Sequence, residues 1–102
     1  MNIKEEINLA VSTGNCVIVD FYKDNCAPCK NVERQLSAIE KEYPDITIIK
    51  VKFGHSTEGD DLFAEHNLKS VPALFLYKDK ALVTVVGALH KSKILSHFGI
   101  TV

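Results

Sequence analysis

Hydrophobic positions along this chain change their period several times, and each change marks an element. Ile3, Ile7 and Val11, with Ala10 beside them, recur at helical spacing and predict a helix that Gly14 and Asn15 end. From Cys16 to Tyr22 the helical period vanishes. Val17-Ile18-Val19 is apolar without alternation, which predicts a strand covered on both faces. Val32, Leu36, Ile39 and Tyr43 then lie on one stripe of a second helix, which begins within Cys26-Ala27-Pro28-Cys29-Lys30 and stops at Pro44. Pro28 falls near its first turn, where a missing N–H is tolerated. Ile46 to Phe53 is rich in β-branched residues and predicts a second strand. Gly54 to Thr57 reads as a loop, and Thr57 followed by Asp60 signals a short helix that fades near Asn67. Ala73 to Tyr77 and Leu82 to Val86 predict two strands joined by a Lys78-Asp79-Lys80 turn, with Gly87 breaking the second. Lys91 to Phe98 predicts a last helix, with Ile94, Leu95 and Phe98 facing inward.

The predicted order is α-β-α-β-α-β-β-α. Helices between the early strands imply parallel crossovers, and the hairpin adds an antiparallel strand. The expected fold is therefore α/β: one domain over residues 1–102, with a mixed four-stranded sheet flanked by helices on both faces. Composition agrees, since 46% hydrophobic and 25% charged residues suit an ordinary globular chain. A net charge of −1, with Arg34 the only arginine, gives no electrostatic reason to expect nucleic acid. No apolar run approaches the roughly 20 residues that span a bilayer, so no membrane association is expected. Glu5-Glu6 stands where a secretory leader would carry its apolar segment, so the sequence suggests a cytoplasmic protein. Thiols in that compartment are kept reduced. The three cysteines then point to catalysis, metal binding or simple burial rather than to a disulfide framework.

Cys26 and Cys29 sit where a buried strand runs into an amphipathic helix. A C-x-x-C pair in that context reads as a thiol/disulfide redox site. The free N–H groups and partial positive charge of a helix start favour a thiolate, the form that attacks disulfides. The competing reading is half of a zinc site, which needs two further ligands. Cys16, His55, His66, His90 and His97 are the candidates, and none forms a second closely spaced pair. No metal is therefore expected. Cys16 reads most simply as a small hydrophobe at the start of a strand. Asp20 lies among apolar neighbours, where desolvation would raise its pKa.

Four motifs together resemble the thioredoxin family: Val19-Asp20-Phe21-Tyr22, Cys26-Ala27-Pro28-Cys29-Lys30, Val71-Pro72-Ala73 and Val86-Gly87-Ala88. The resemblance runs from about Cys16 to Phe98. It implies a protein-disulfide reductase in which Cys26 is the nucleophile, Cys29 the resolving thiol, and Asp20 a buried acid assisting proton transfer at Cys29. Lys50 falls where the family has a lysine near that acid. Pro72 matches a cis-proline facing the disulfide, and the Val71 backbone would pair with an extended client segment. Gly87 matches a glycine that leaves the client groove open. Asn25, Ala27 and Pro28 complete the expected client-binding surface. No bound cofactor is implied beyond the Cys26–Cys29 disulfide. The implied partners are disulfide-containing clients and an NADPH-dependent flavoenzyme, thioredoxin reductase, serving a monomer.

The chain also departs from the family. Asn25 stands in place of the usual tryptophan, Tyr22 replaces another, and Ala27 replaces a glycine. The segment ahead of Cys16 is too short for the family's usual first strand plus helix, so that strand is expected to be missing, as in glutaredoxins. This leaves two alternatives, a glutathione-dependent reductant and a non-catalytic binding module on the same fold.

Overall fold

The computed structural model describes residues 2–52, 64 and 71–100. Its first element, α1 (Ile3–Ser12), is capped by Asn2, whose side chain accepts the Glu5 N–H at 2.8 Å. Glu5 and Glu6 in the first turn suit the positive end of the helix dipole. The helix ends at Thr13, and Gly14 takes the left-handed φ of 83° that the turn requires. Strand β1 (Val17–Tyr22) follows, then α2 (Ala27–Glu42) and β2 (Thr47–Lys52). A hairpin of β3 (Ala73–Lys78) and β4 (Ala81–Val86) precedes the short helix α3 (Lys91–Ser96). The loop and helix expected over residues 54–67 lie outside the described residues, apart from Ala64.

The strands form one four-stranded sheet in the order β2-β1-β3-β4. Among the described residues no strand precedes α1, so β2 is an edge strand. The β1-α2-β2 crossover is parallel, as expected. Strand β3 is not parallel to β1: it pairs antiparallel to it, with Phe21 opposite Ala73. Hydrophobic periodicity locates a strand but does not carry its direction. The antiparallel register matters for function, because it starts β3 at the end of the sheet where β1 finishes.

Side-chain alternation along β1 divides the interior into two layers. Val17, Val19 and Phe21 pack with Ile7 of α1, Ile49, Val51 and Phe75 on one face. Ile18 packs with Val32, Leu36 and Ile39 of α2, and with Ile94 and Leu95 of α3, on the other. Helices thus cover both faces, and the unbroken apolar run Val17-Ile18-Val19 is explained. The hairpin turn is Asp79-Lys80, with φ of 54° and 69°, the pair of positive values that matches strand twist in a two-residue loop. One extra residue in β4 shifts the register between Leu76–Thr84 and Tyr77–Leu82. This bulge leaves Leu82 and Val83 facing outward on an edge strand.

Candidate active site

The β1–α2 junction carries the cysteine pair. Asn25 immediately ahead of it has a φ of 56°. Asparagine is among the few non-glycine residues that adopt this left-handed conformation readily. Its presence where the family has tryptophan therefore answers a backbone demand as well as changing the surface. Cys26 is the N-cap of α2, with extended φ and ψ of −117° and 105°, and its Sγ accepts the Cys29 N–H at 3.2 Å. Ala27 and Pro28 occupy the first helical positions, both exposed, so the proline removes no intrahelical bond. No acidic residue lies in this first turn, where its negative charge would disfavour a Cys26 thiolate.

Cys26 and Cys29 are joined as a disulfide, with Cα atoms 5.2 Å apart. The two differ little in exposure in this oxidised form, since Cys26 is 6% and Cys29 4% exposed. Their environments differ instead. Cys29 lines a cleft of about 300 Å³ together with Asp20, Glu33 and Lys50, and Cys26 does not. Position within the helix turn, more than accessibility, distinguishes the two sulfurs.

Asp20 is only 2% exposed, and its Oδ1 has no hydrogen-bond partner among the described residues. Burial pushes its pKa up to about 6; the Lys50 ammonium pulls the other way, and the Glu33 carboxylate adds to the rise. Lys50 reaches this cleft because the parallel register sets it opposite Asp20. Its Nζ lies 3.5 Å from Glu33 Oε1. The sequence reading did not single out Glu33. The signal was its position four residues beyond Cys29, hence one turn along the same face.

The remaining expected site residues gather at the same end of the sheet. The Val71–Pro72 bond is cis and Pro72 is buried. Pairing of Phe21 with Ala73 sets that bond beside the start of the β1–α2 turn. Gly87 follows the pairing of Val86 with Leu74, and among the described residues a Cβ built on it would meet only the Pro72 carbonyl oxygen, at 3.9 Å. Neither crowding by the described residues nor backbone conformation thus demands a glycine there.

Cys16 is half-buried against the α2-side core, and burial raises its thiol pKa, which fits a packing role. His90 caps α3 through its ring Nδ1, 3.2 Å from the Ser92 nitrogen, while His55 and His66 lie outside the described residues. No group of three or more His, Cys, Asp or Glu among the described residues is arranged to hold a metal ion.

A vicinal cysteine pair closed at a helix N-terminus, over a buried carboxyl and beside a cis-proline, defines a dithiol–disulfide exchange centre. Comparison with known proteins gives the same class. The family model named Thioredoxin matches residues 2–99. Thioredoxin C-2 of Corynebacterium nephridii is 36% identical over 80 residues, covering 76% of this chain and 71% of that protein. The thioredoxin of Porphyra purpurea is 34% identical over 82 residues, covering 78% and 74%. Mitochondrial thioredoxin 3 of Saccharomyces cerevisiae, solved in its oxidized form, superposes with a TM-score of 0.77 at 23% identity, covering 95% of this chain and 90% of that one. The chain belongs to the thioredoxin family, and it is a thiol–disulfide oxidoreductase of the thioredoxin type.

Proposed function

We propose that Cys26 is the attacking thiol, Cys29 the resolving thiol and Asp20 the group that moves the proton at Cys29. The observation that carries this division is the shared cleft of Cys29 and Asp20, with Cys26 set apart at the helix cap. In the reduced protein, the Cys29 N–H that points at Cys26 Sγ would stabilise a thiolate there. That thiolate attacks one sulfur of a client disulfide, the client S–S bond breaks, and one client thiolate leaves. Asp20 in its carboxylate form then takes the Cys29 proton. The Cys29 thiolate attacks Cys26 Sγ, the mixed disulfide breaks, and the second client thiolate departs. Two electrons have passed from the dithiol to the client, and the Cys26–Cys29 disulfide remains.

An extended client segment would lie along Val71 and the cis-Pro72, with Asn25, Ala27, Pro28 and Gly87 around it. Lys50 would tune Asp20 rather than touch the client. The thioredoxin family implies disulfide clients and a reductase in general. Here the proposed donor is an NADPH-dependent flavoenzyme, no cofactor is bound, and the protein acts as a monomer in the reducing cytoplasm. Exposed lysines at 50 and 52 on the edge strand β2 support the monomer, since charges there oppose edge-to-edge pairing.

The test is a trap. Cys29→Ser should accumulate clients covalently bound through Cys26, and Cys26→Ser should abolish reduction of insulin disulfides. Full activity of Cys26→Ser would refute the assignment. Comparing thioredoxin reductase with glutathione as electron donor separates this reading from a glutathione-dependent one.

A further inference from the structure

Asp20, Glu33 and Lys50 line the same cleft as Cys29. Among the described residues Lys50 pairs in this cleft with Glu33, at 3.5 Å, and not with Asp20. Asp20 Oδ1, by contrast, is buried without a hydrogen-bond partner among the described residues. Each of these groups comes from a different element. Glu33 projects from α2 one turn after Cys29, Lys50 from the edge strand β2, and Asp20 from β1 between them.

We propose that Glu33 is a positioning residue for proton transfer at Cys29: it engages Lys50 and adds its own negative charge to the cleft, so that Asp20 holds its proton to a higher pH than Lys50 alone would allow. This rests on the role assigned above to Asp20 and extends it to the group that sets its working range. The reasoning is electrostatic. A like charge across a cleft disfavours the Asp20 carboxylate, and an ammonium shared with a second carboxylate stabilises it less. Both effects act in the same direction. On its own the Lys50 ammonium lowers the Asp20 pKa, and the Glu33 carboxylate raises it.

The other charged or titratable groups facing the cleft do not supply this effect. Lys30 and Cys29 come from α2, and Tyr22, Lys23 and Asp24 from the end of β1 and the turn after it. Asp24 is held by Lys52 at 2.6 Å. The β3 residue opposite Asp20 is Leu74, which carries no charge. A proton carrier that is ionised too easily would be a poor donor when the disulfide is reduced and Cys29 must be reprotonated. Glu33 moves the balance toward the protonated form.

The experiment is a carbon-13 NMR titration of the Asp20 carboxyl in the full-length oxidised protein, alongside the pH dependence of disulfide reduction. Glu33→Gln should lower the Asp20 midpoint by about half to one pH unit, and Lys50→Gln should raise it. The pH–rate profile should shift with the midpoint in each variant. In an Asp20→Asn background, adding Glu33→Gln should leave the profile as Asp20→Asn alone sets it. An Asp20 midpoint unmoved by Glu33→Gln would overturn the proposal, as would a Glu33→Gln effect that survives in Asp20→Asn. A wild-type pH profile for Asp20→Asn would overturn the role of Asp20 itself, and with it that of Glu33, whatever the titration shows.

Discussion

The two faces of β1 carry neighbouring residues to opposite ends. Toward α1 the strand presents Val17, Val19 and Phe21, all fully buried among apolar partners, with the Phe21 and Phe75 ring centroids 5.1 Å apart. Toward α2 it presents Ile18 and then Asp20, a carboxyl shut away with one oxygen unpartnered among the described residues. A single step along the strand separates a face that only stabilises from a face that stores an unfavourable group. Proteins retain such groups where chemistry uses them. The contrast teaches that the redox centre is set into one layer of the fold while the other layer supplies the stability that tolerates it.

Substitutions on the two faces should therefore have opposite signs. The largest stability effect is expected on the α1 side. Phe21→Ala should destabilise the oxidised protein by about 3–5 kcal/mol in urea denaturation, the range for truncating a buried aromatic. A loss below about 1 kcal/mol would show that this face is not the tight layer described.

On the α2 side, Asp20→Ala should stabilise the oxidised protein by about 1–3 kcal/mol at pH 8. The sign follows from the raised pKa. Folding lifts Asp20 from 3.8 to about 6, so the folded chain holds the proton more tightly than the unfolded one. Stability contributed by this group falls as pH rises between those values. The penalty is complete above about 6 and absent below 3.8. The gain in Asp20→Ala should accordingly vanish near pH 4, and a gain independent of pH would assign it to something other than the charge. The same variant should turn over more slowly.

A smaller effect is expected at the turn between β1 and α2. Asn25→Val should lose about 1–2 kcal/mol, because a β-branched residue tolerates a φ of 56° poorly, whereas Asn25→Gly should lose almost nothing. Equal losses in thermal or urea unfolding would mean that the asparagine side chain, not its backbone, is what the turn needs.

Much of this arrangement was legible before any coordinates. The stripe Val32, Leu36 and Ile39 buries one side of α2, and the unbroken run in β1 reports a strand covered twice. The cis bond at Val71-Pro72 was anticipated only through the resemblance to the thioredoxin family, since base rates favour trans. Three features were not readable. The antiparallel direction of β3 leaves no trace in local periodicity. The turn at Lys78-Asp79-Lys80 was read, but not its backbone conformation, which puts a lysine at positive φ against ordinary turn preferences. Glu33 gains its meaning only when the β1–β2 register brings Lys50 over Asp20, and no local pattern encodes that pairing.

The central claim is that helix position makes Cys26 and Cys29 chemically unequal, although they are almost equally buried in the oxidised form. The direct measurement is the rate at which iodoacetamide labels each cysteine of the freshly reduced protein, followed by mass spectrometry across pH. Cys26 should be alkylated first at neutral pH, well ahead of Cys29 and of the packed Cys16. Indistinguishable rates for Cys26 and Cys29, each following the pH dependence of free cysteine, would contradict it.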